Sequence, residues 1–372
     1  MDARKQPEPK PDDERRSETA LSRPRKLVFF LLLSVLALTV MIGLCEIAIR
    51  LLSPVETLHP RYRFSAEYGL SLFESTTMTH SRPGKFKFRY TVNSCGYRGP
   101  VHDPGPWPGE MTIVVLGDSY AFGIGVEDGE EFASKMSDEL GENVRVVNLG
   151  NPGWGLTQQI RRYMEYGRLF EPDLVVLVFC ANDPEDNLGY MVTTLAGEGS
   201  PEAFVFRDSK RRFGWTKKYL SRSVLQKSQT YNLFRNSIYL FFKNRAVREA
   251  ELTMEKQTRS PAPTMERFYF ELLDRFTEVL ADDGTDLLMI SVNGQLAEFP
   301  WLMEQVRTMD ISGRLDYVEV ARWFAGQSDY SSPEGHLWGA KGHAIVGEQL
   351  AHYIRERSLE DRRSHEPSVS DE

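Results

Sequence analysis

The chain has few of the residues on which cross-linked or metal-dependent proteins rely. It has 372 residues, of which three are cysteine and seven histidine. Cys45 lies inside a long apolar run, so only Cys95 and Cys180 remain for an oxidising compartment. Cys180 ends a buried-strand pattern, where a small packed thiol is the expected state rather than a disulfide. No His/Asp cluster has metal-ligand spacing, and neither a metal nor a cofactor is expected. The net charge of -8 is mild and selects no class of partner. The length suits one large α/β domain with appendages, and a hydrophobic content of 41% can fill its core.

Charge is also missing locally. From Val28 to Cys45 no charged residue interrupts an apolar stretch that fills most of 27–52, which meets the length criterion for a spanning helix. The run is too long for a signal-peptide core and no small-x-small cleavage pattern follows it, so a retained anchor is expected. Arg15, Arg16, Arg23, Arg25 and Lys26 precede it. By the positive-inside rule the N-terminus is cytoplasmic and the remainder periplasmic or extracellular, where nucleic acid is not an expected partner. Residues 1–26 and 358–372 are polar and are expected to be disordered tails. Residues 53–110 read as an extended lead-in with an exposed-edge hairpin, because basic and apolar residues alternate from Phe86 to Asn93.

From Thr112 to Leu116 an apolar, β-branched run breaks into Gly117-Asp118-Ser119. This is the pattern of a buried parallel strand whose carboxyl end opens into a loop, the edge at which α/β folds place their sites. Val146-Val147-Asn148-Leu149-Gly150-Asn151-Pro152-Gly153 is a second strand entering a glycine turn. Residues 174–179 form a third strand, which leads through Cys180-Ala181 to Asn182-Asp183. Helical periodicity over 130–140, 156–170, 265–280, 300–309 and 340–357, with further strands at 286–292 and 316–320, predicts repeated βαβ units. The expected fold is a flavodoxin-like three-layer α/β/α sandwich with a five-stranded parallel sheet, spanning 111–357. Near its end stand Pro333-Glu334-Gly335-His336 and, further on, His343.

The blocks at Gly117-Asp118-Ser119, Gly153, Asn182-Asp183 and His336 together resemble the SGNH (GDSL) hydrolase family. The stretch from Gly117 to Val126 is closest to membrane-anchored bacterial members. The chain departs from the pattern in two places. Cys180-Ala181 precedes Asn182 where Gly-x is usual, and Glu334 stands where the acid is usually Asp. The resemblance implies that Ser119 is the nucleophile, His336 its base and Glu334 the acid that orients the imidazole. Asp329 is a substitute acid, and a Ser-His dyad with a backbone carbonyl is a third arrangement. The implied oxyanion donors are the Ser119 N–H, the Gly153 N–H and the Asn182 amide, with Gly150 and Gly155 as register alternatives. His343 is expected to pack or start a helix, and Asp118 and Asp183 to accept from loop N–H groups. Asn93-Ser94-Cys95-Gly96-Tyr97-Arg98 reads as a turn with a stacked arginine.

Residues 184–263 are too many for a βα connection and carry interleaved basic and aromatic residues, among them Arg211, Trp215, Tyr231, Phe234 and Arg248. Leaving the sheet beside Asn182, they read either as a helical cap that contacts anionic saccharide or lipid headgroups, or as an excursion packed on the domain. The expected activity is a serine esterase removing an O-acyl group, acetyl in the first instance, from an acylated saccharide or lipid of the cell envelope. Two alternatives remain open: an O-acyltransferase acting on extracellular polysaccharide, and an inactive membrane-anchored binding module.

Overall fold

A computed structural model describes residues 23–65, 68–109, 111–190, 192–195, 204–207, 224–257 and 264–365. At its centre Met111–Leu116, Val144–Asn148, Leu174–Phe179, Asp286–Ser291 and Asp316–Glu319 form a five-stranded sheet. Every neighbouring pair is parallel. Numbered along the chain, the strands stand in the order 2-1-3-4-5, the flavodoxin-like doubly wound order.

The period-2 geometry of a strand divides each apolar run between two cores. Val114, Leu116, Val175 and Leu177 face the helices Leu156–Glu165, Thr264–Asp283 and Pro300–Ile311. Ile113, Val115, Val176 and Val178 face Phe132–Leu140 and Ala340–His365. With both faces covered, every residue of the three central strands after each strand's first is buried, which is why their runs are almost continuously apolar. Each Val, Ile or Leu withdrawn from water contributes about 1.5–3 kcal/mol before entropy is charged against it. Because the chain leaves the first strand toward the second on one side and toward the third on the other, a crevice opens at their carboxyl ends.

The helix Arg23–Leu52 is long and apolar enough to cross a membrane, and none of its hydrophobic window is buried against the rest of the protein. After it, Thr57–His59, Thr76–Arg82 and Phe86–Val92 form an antiparallel three-stranded sheet, and Arg63–Ser65 pairs with Gly69–Ser71. Thr76–Arg82 and Phe86–Val92 pair as a hairpin. Its inner face is no free edge. Met78, Tyr90 and Val92 pack on Phe122 and Ile124, just beyond Ser119.

The C-terminal helix continues to His365, beyond the expected end near residue 357. Residues 358–366 contain no Gly or Pro, and the first breaker is Pro367. In the long insertion the described parts are the helix Asp183–Tyr190, the antiparallel pair Val192–Leu195 and Phe204–Arg207, a 3-10 turn at Val224–Lys227 and the helix Gln229–Gln257. Of the expected tails, 1–26 and 358–372, residues 1–22 and 366–372 lie outside the described residues, as does the basic aromatic stretch around Arg211, Trp215 and Tyr219. Cys95 and Cys180 are both free thiols, and Cys180 is buried.

Candidate active site

Ser119 begins a four-residue helix, Ser119–Phe122, at the carboxyl end of the first strand. Asp118 caps it: one carboxylate oxygen accepts from the Tyr120 N–H at 3.0 Å, and the other lies 3.3 Å from Ser119 Oγ, a longer contact than the one the single hydroxyl proton makes with His336. The loop carrying His336 crosses over this helix start. His336 Nε2 lies 2.9 Å from Ser119 Oγ, and its Nδ1 lies 2.6 Å from Glu334 Oε1. The same Glu334 oxygen accepts from the His336 backbone N–H at 3.0 Å. Serine, histidine and glutamate thus form one continuous hydrogen-bonded line, although Ser119 and His336 are far apart in sequence.

The extra methylene of Glu334 relative to Asp is accommodated by the tightness of its loop. The Ser332 N–H donates to the His336 carbonyl at 2.9 Å, folding the segment back on itself. The Ser332 hydroxyl donates to the Gly125 carbonyl at 2.9 Å. Gly125, at φ +90°, is required here, because a Cβ on it would sit 2.5 Å from both Glu334 Oε1 and Ser332 Oγ. The Gly-x-Gly after Ser119 therefore makes room for the acid. Tyr120 supports the imidazole edge-on at 4.8 Å, and its hydroxyl accepts from the Leu337 N–H at 3.2 Å.

Burial alone would raise the Glu334 carboxyl, but the bond and charge of His336 outweigh it and hold Glu334 below its ordinary value. Conversely, burial works against protonated His336, yet the Glu334 bond and charge, with a smaller contribution from Asp118, hold the imidazole above its ordinary value. Each partner thus stabilises the charged form of the other. Asp329 does not take part. It is exposed, at φ +57°, and accepts from the Ser328 hydroxyl at 3.0 Å. His343 is fully buried; its Nδ1 accepts from the Phe132 N–H at the start of helix Phe132–Leu140, and burial pushes its pKa down to about 3. It caps that helix and is engaged away from Ser119.

Ser119, Gly153 and His336 line one cavity of about 300 Å³. At Gly153, φ is +78° and open space lies where a Cβ would be. The two alternative glycines serve packing instead. A Cβ on Gly150 would lie 2.6 Å from Ala121 Cβ, and one on Gly155 2.6 Å from Asn187 Oδ1. Asn182 is close but engaged: its amide donates to Asp118 at 3.1 Å and to Asp186 at 2.7 Å. An oxyanion would have to draw one of these hydrogens away, and the longer bond, to Asp118, is the weaker claim. Asp183 accepts from the Cys180 N–H at 3.1 Å. Burial raises both Asp118 and Asp183, and the charge of Asp118 pushes Asp183 further up.

Two features of the site escape a reading of its motifs. The first is Arg98, which is almost wholly buried. Its guanidinium donates to the carbonyls of Phe122 at 3.1 Å, Gly123 at 2.5 Å and Val126 at 2.9 Å, and pairs with Asp128 at 3.1 Å. It therefore fastens the loop that follows the serine. No local signal marks it, because the loop whose carbonyls need its donors lies 24–28 residues further along the chain. The second is a wall built from the lead-in and the insertion, with Glu56, Arg61, Tyr62, His80 and Asn236 lining the cavity opposite Gly153. His80 is buried between Glu56 at 2.5 Å and the Tyr90 hydroxyl at 2.8 Å, and Tyr90 in turn accepts from the Gly125 N–H at 3.0 Å. Among the described residues no group of His, Cys, Asp and Glu could hold a metal ion.

No family model matches the sequence, and no curated protein does. Among solved structures, a putative lipolytic protein of the G-D-S-L family from Desulfitobacterium hafniense DCB-2 is 10% identical, with 65% of this chain and 99% of that one covered at a TM-score of 0.39. The psychrotrophic esterase EstA from Pseudoalteromonas sp. is 11% identical, with 67% and 100% covered at 0.39. A putative arylesterase from Agrobacterium tumefaciens str. C58 is 13% identical, with 66% and 99% covered at 0.35. The chain is thus similar, at low identity, to proteins described as GDSL lipolytic enzymes and esterases.

Proposed function

We propose that the protein is a serine esterase of the SGNH (GDSL) type, held at a membrane by its N-terminal helix and removing an O-acyl group from a saccharide or lipid of the cell envelope. The observation that carries the reading is the line Ser119–His336–Glu334, with both hydrogen bonds formed at once. His336 takes the Ser119 proton on Nε2 as Oγ attacks the acyl carbon. Nδ1–H stays bonded to Glu334, which fixes the tautomer and stabilises the imidazolium. The oxyanion forms beside the Ser119 and Gly153 N–H groups and the Asn182 amide, each such donor contributing about 3 kcal/mol to the transition state. His336 then protonates the leaving alcohol, and a water activated by the same imidazole releases the acid. A cavity of about 300 Å³ accommodates a short acyl group and part of a sugar ring.

The test uses the full chain in detergent micelles, offered an aryl acetate and an acetylated glycan, with hydrolysis and transfer to added sugar both measured. Wild type should turn over and should be labelled by a fluorophosphonate at Ser119, while folded Ser119→Ala should do neither. Undiminished turnover in Ser119→Ala refutes the reading. The basic flank at Arg23, Arg25 and Lys26 supports an N-terminus inside the cell and the domain outside. A reporter active only in the periplasm, fused at the C-terminus, should be active, and activity confined to a cytoplasmic reporter reverses the topology.

A further inference from the structure

The insertion's long helix, Gln229–Gln257, starts against the membrane helix. Glu46, within Arg23–Leu52, accepts from the N–H groups of Gln229 at 3.0 Å and Thr230 at 2.9 Å and from the Ser228 hydroxyl at 2.8 Å, so its carboxylate caps the incoming helix. Arg50 Nη2 donates to the Lys227 carbonyl at 3.1 Å. Glu46 directly follows the uncharged run that begins at Val28, about 27 Å long at 1.5 Å per residue and close to the hydrocarbon thickness of a bilayer. The long helix therefore begins at the level where the span leaves the hydrocarbon.

Its outer face has the wrong composition for water. Leu233, Phe234, Ile238 and Phe241 are 43%, 64%, 56% and 64% exposed, and they follow one another at helical spacing. Further along the same face Arg245 and Arg248 are exposed. A contiguous apolar stripe of this kind is rare on a soluble monomer unless something covers it. Apolar residues at the bilayer end and cations beyond them form the pattern of a helix seated in a lipid interface, where the stripe meets acyl chains and the cations meet anionic headgroups.

We propose that the first four turns of Gln229–Gln257 lie in the headgroup boundary of the bilayer crossed by Arg23–Leu52, with Leu233, Phe234, Ile238 and Phe241 inserted among the lipids. The proposal rests on reading Arg23–Leu52 as a span and is independent of the esterase chemistry. It also places the site: Asn236, between the inserted residues but half-buried on the helix's inner side, lines the catalytic cavity and accepts from Arg61 at 3.4 Å. Only one helix, about 10–12 Å across, then separates the cavity from the membrane surface.

A photoreactive benzoyl-phenylalanine placed singly at 234, 238 or 241 of the full chain tests this in nanodiscs of phosphatidylethanolamine and phosphatidylglycerol. Ile311 is the negative control, being 87% exposed and at the end of the helix that returns to the amino end of strand Asp316–Glu319, and Leu36 inside the span is the positive one. Phospholipid adducts at 234, 238 and 241 should exceed those at 311 at least tenfold. Lipid adducts at 36 with none above background at 234, 238 and 241 overturn the docking while leaving the span intact. Absence at all four positions removes both, and adducts to a second copy of the chain at 234 or 238 overturn the lipid assignment.

Discussion

Replacing Glu334 by Gln tests the site with the least structural disturbance, and its magnitude follows from how Oε1 is held. That oxygen accepts both Nδ1–H and the backbone N–H of His336, at 2.6 and 3.0 Å. A glutamine amide presenting its NH2 to the pair would oppose two donors, so the carbonyl oxygen stays in place and the tautomer is preserved. What disappears is the charge. Two unit charges about 4 Å apart interact by about 4 kcal/mol at the effective dielectric of a protein near its surface. A hydrogen bond to a charged group exceeds a neutral one by about 1–2 kcal/mol. The expected loss in kcat is therefore about 10²–10³-fold, smaller than the ~10⁴ seen when the tautomer also flips. The pH profile supplies a second readout. Because Glu334 holds His336 above its ordinary value, the acid limb of kcat/KM should lie above that value in wild type. In Glu334→Gln burial acts without its counterweight, so the limb should move to lower pH. Stopped assays with an aryl acetate over pH 5–9, with Asp329→Asn as the silent comparison, measure both effects. A loss under tenfold with an unmoved limb refutes the reasoning, since the imidazole would then owe nothing to the carboxylate.

Arg98→Met should remove three carbonyl bonds and strand buried Glu131, costing about 3–5 kcal/mol and lowering Tm by roughly 10 °C. Arg98→Lys should recover little, because an ammonium cannot span the same fork of acceptors, and calorimetry of the three proteins decides it. Gly125→Ala forces a Cβ against Glu334 and Ser332 at a left-handed φ, so turnover should fall at least tenfold with a stability loss of about 1–2 kcal/mol, read by assay and denaturant titration on one preparation. His343, buried and neutral down to about pH 3, makes the unfolded state the stronger proton binder below the ordinary imidazole value, so stability should fall as the pH is lowered. Between pH 6 and 4 that slope amounts to roughly 3 kcal/mol, and denaturation of His343→Gln over the same range should lack it.

The parallel sheet was legible because both of its faces are covered, which leaves uninterrupted apolar runs that end at glycine or asparagine. Ser119, Gly153, Asn182 and His336 were legible for a related reason: each lies within a few residues of the carboxyl end of a strand or the start of a helix, so local sequence fixes its place. Glu334 could be named and its competitor could not be dismissed, since only the fold of the loop shows Asp329 turned outward. Arg98 was read as a turn because its acceptors are backbone carbonyls, and a carbonyl leaves no trace in side-chain composition. The cavity wall was hidden for a different reason. Thr57–His59 is three residues long and pairs with residues 79–81, some twenty positions away, so no periodic pattern marks it.

These hidden parts act on the legible ones. A serine at a strand end is useful only if the following loop keeps still while the imidazole approaches, and Ser119–Phe122 is one short turn with little helical stability of its own. The loop is held from below by Arg98, from the side by Tyr90 at the Gly125 N–H, and from above by the Ser332 hydroxyl at the Gly125 carbonyl. Arg98 and Tyr90 come from the stretch between helix Arg23–Leu52 and the first strand of the central sheet, and Ser332 belongs to the loop of Glu334. The Ser119 loop, the Glu334 loop and the lead-in therefore share Gly125 as a common support. A segment that in sequence only joins an apolar helix to an α/β domain is, by this connectivity, part of the scaffold that sets Ser119 against His336.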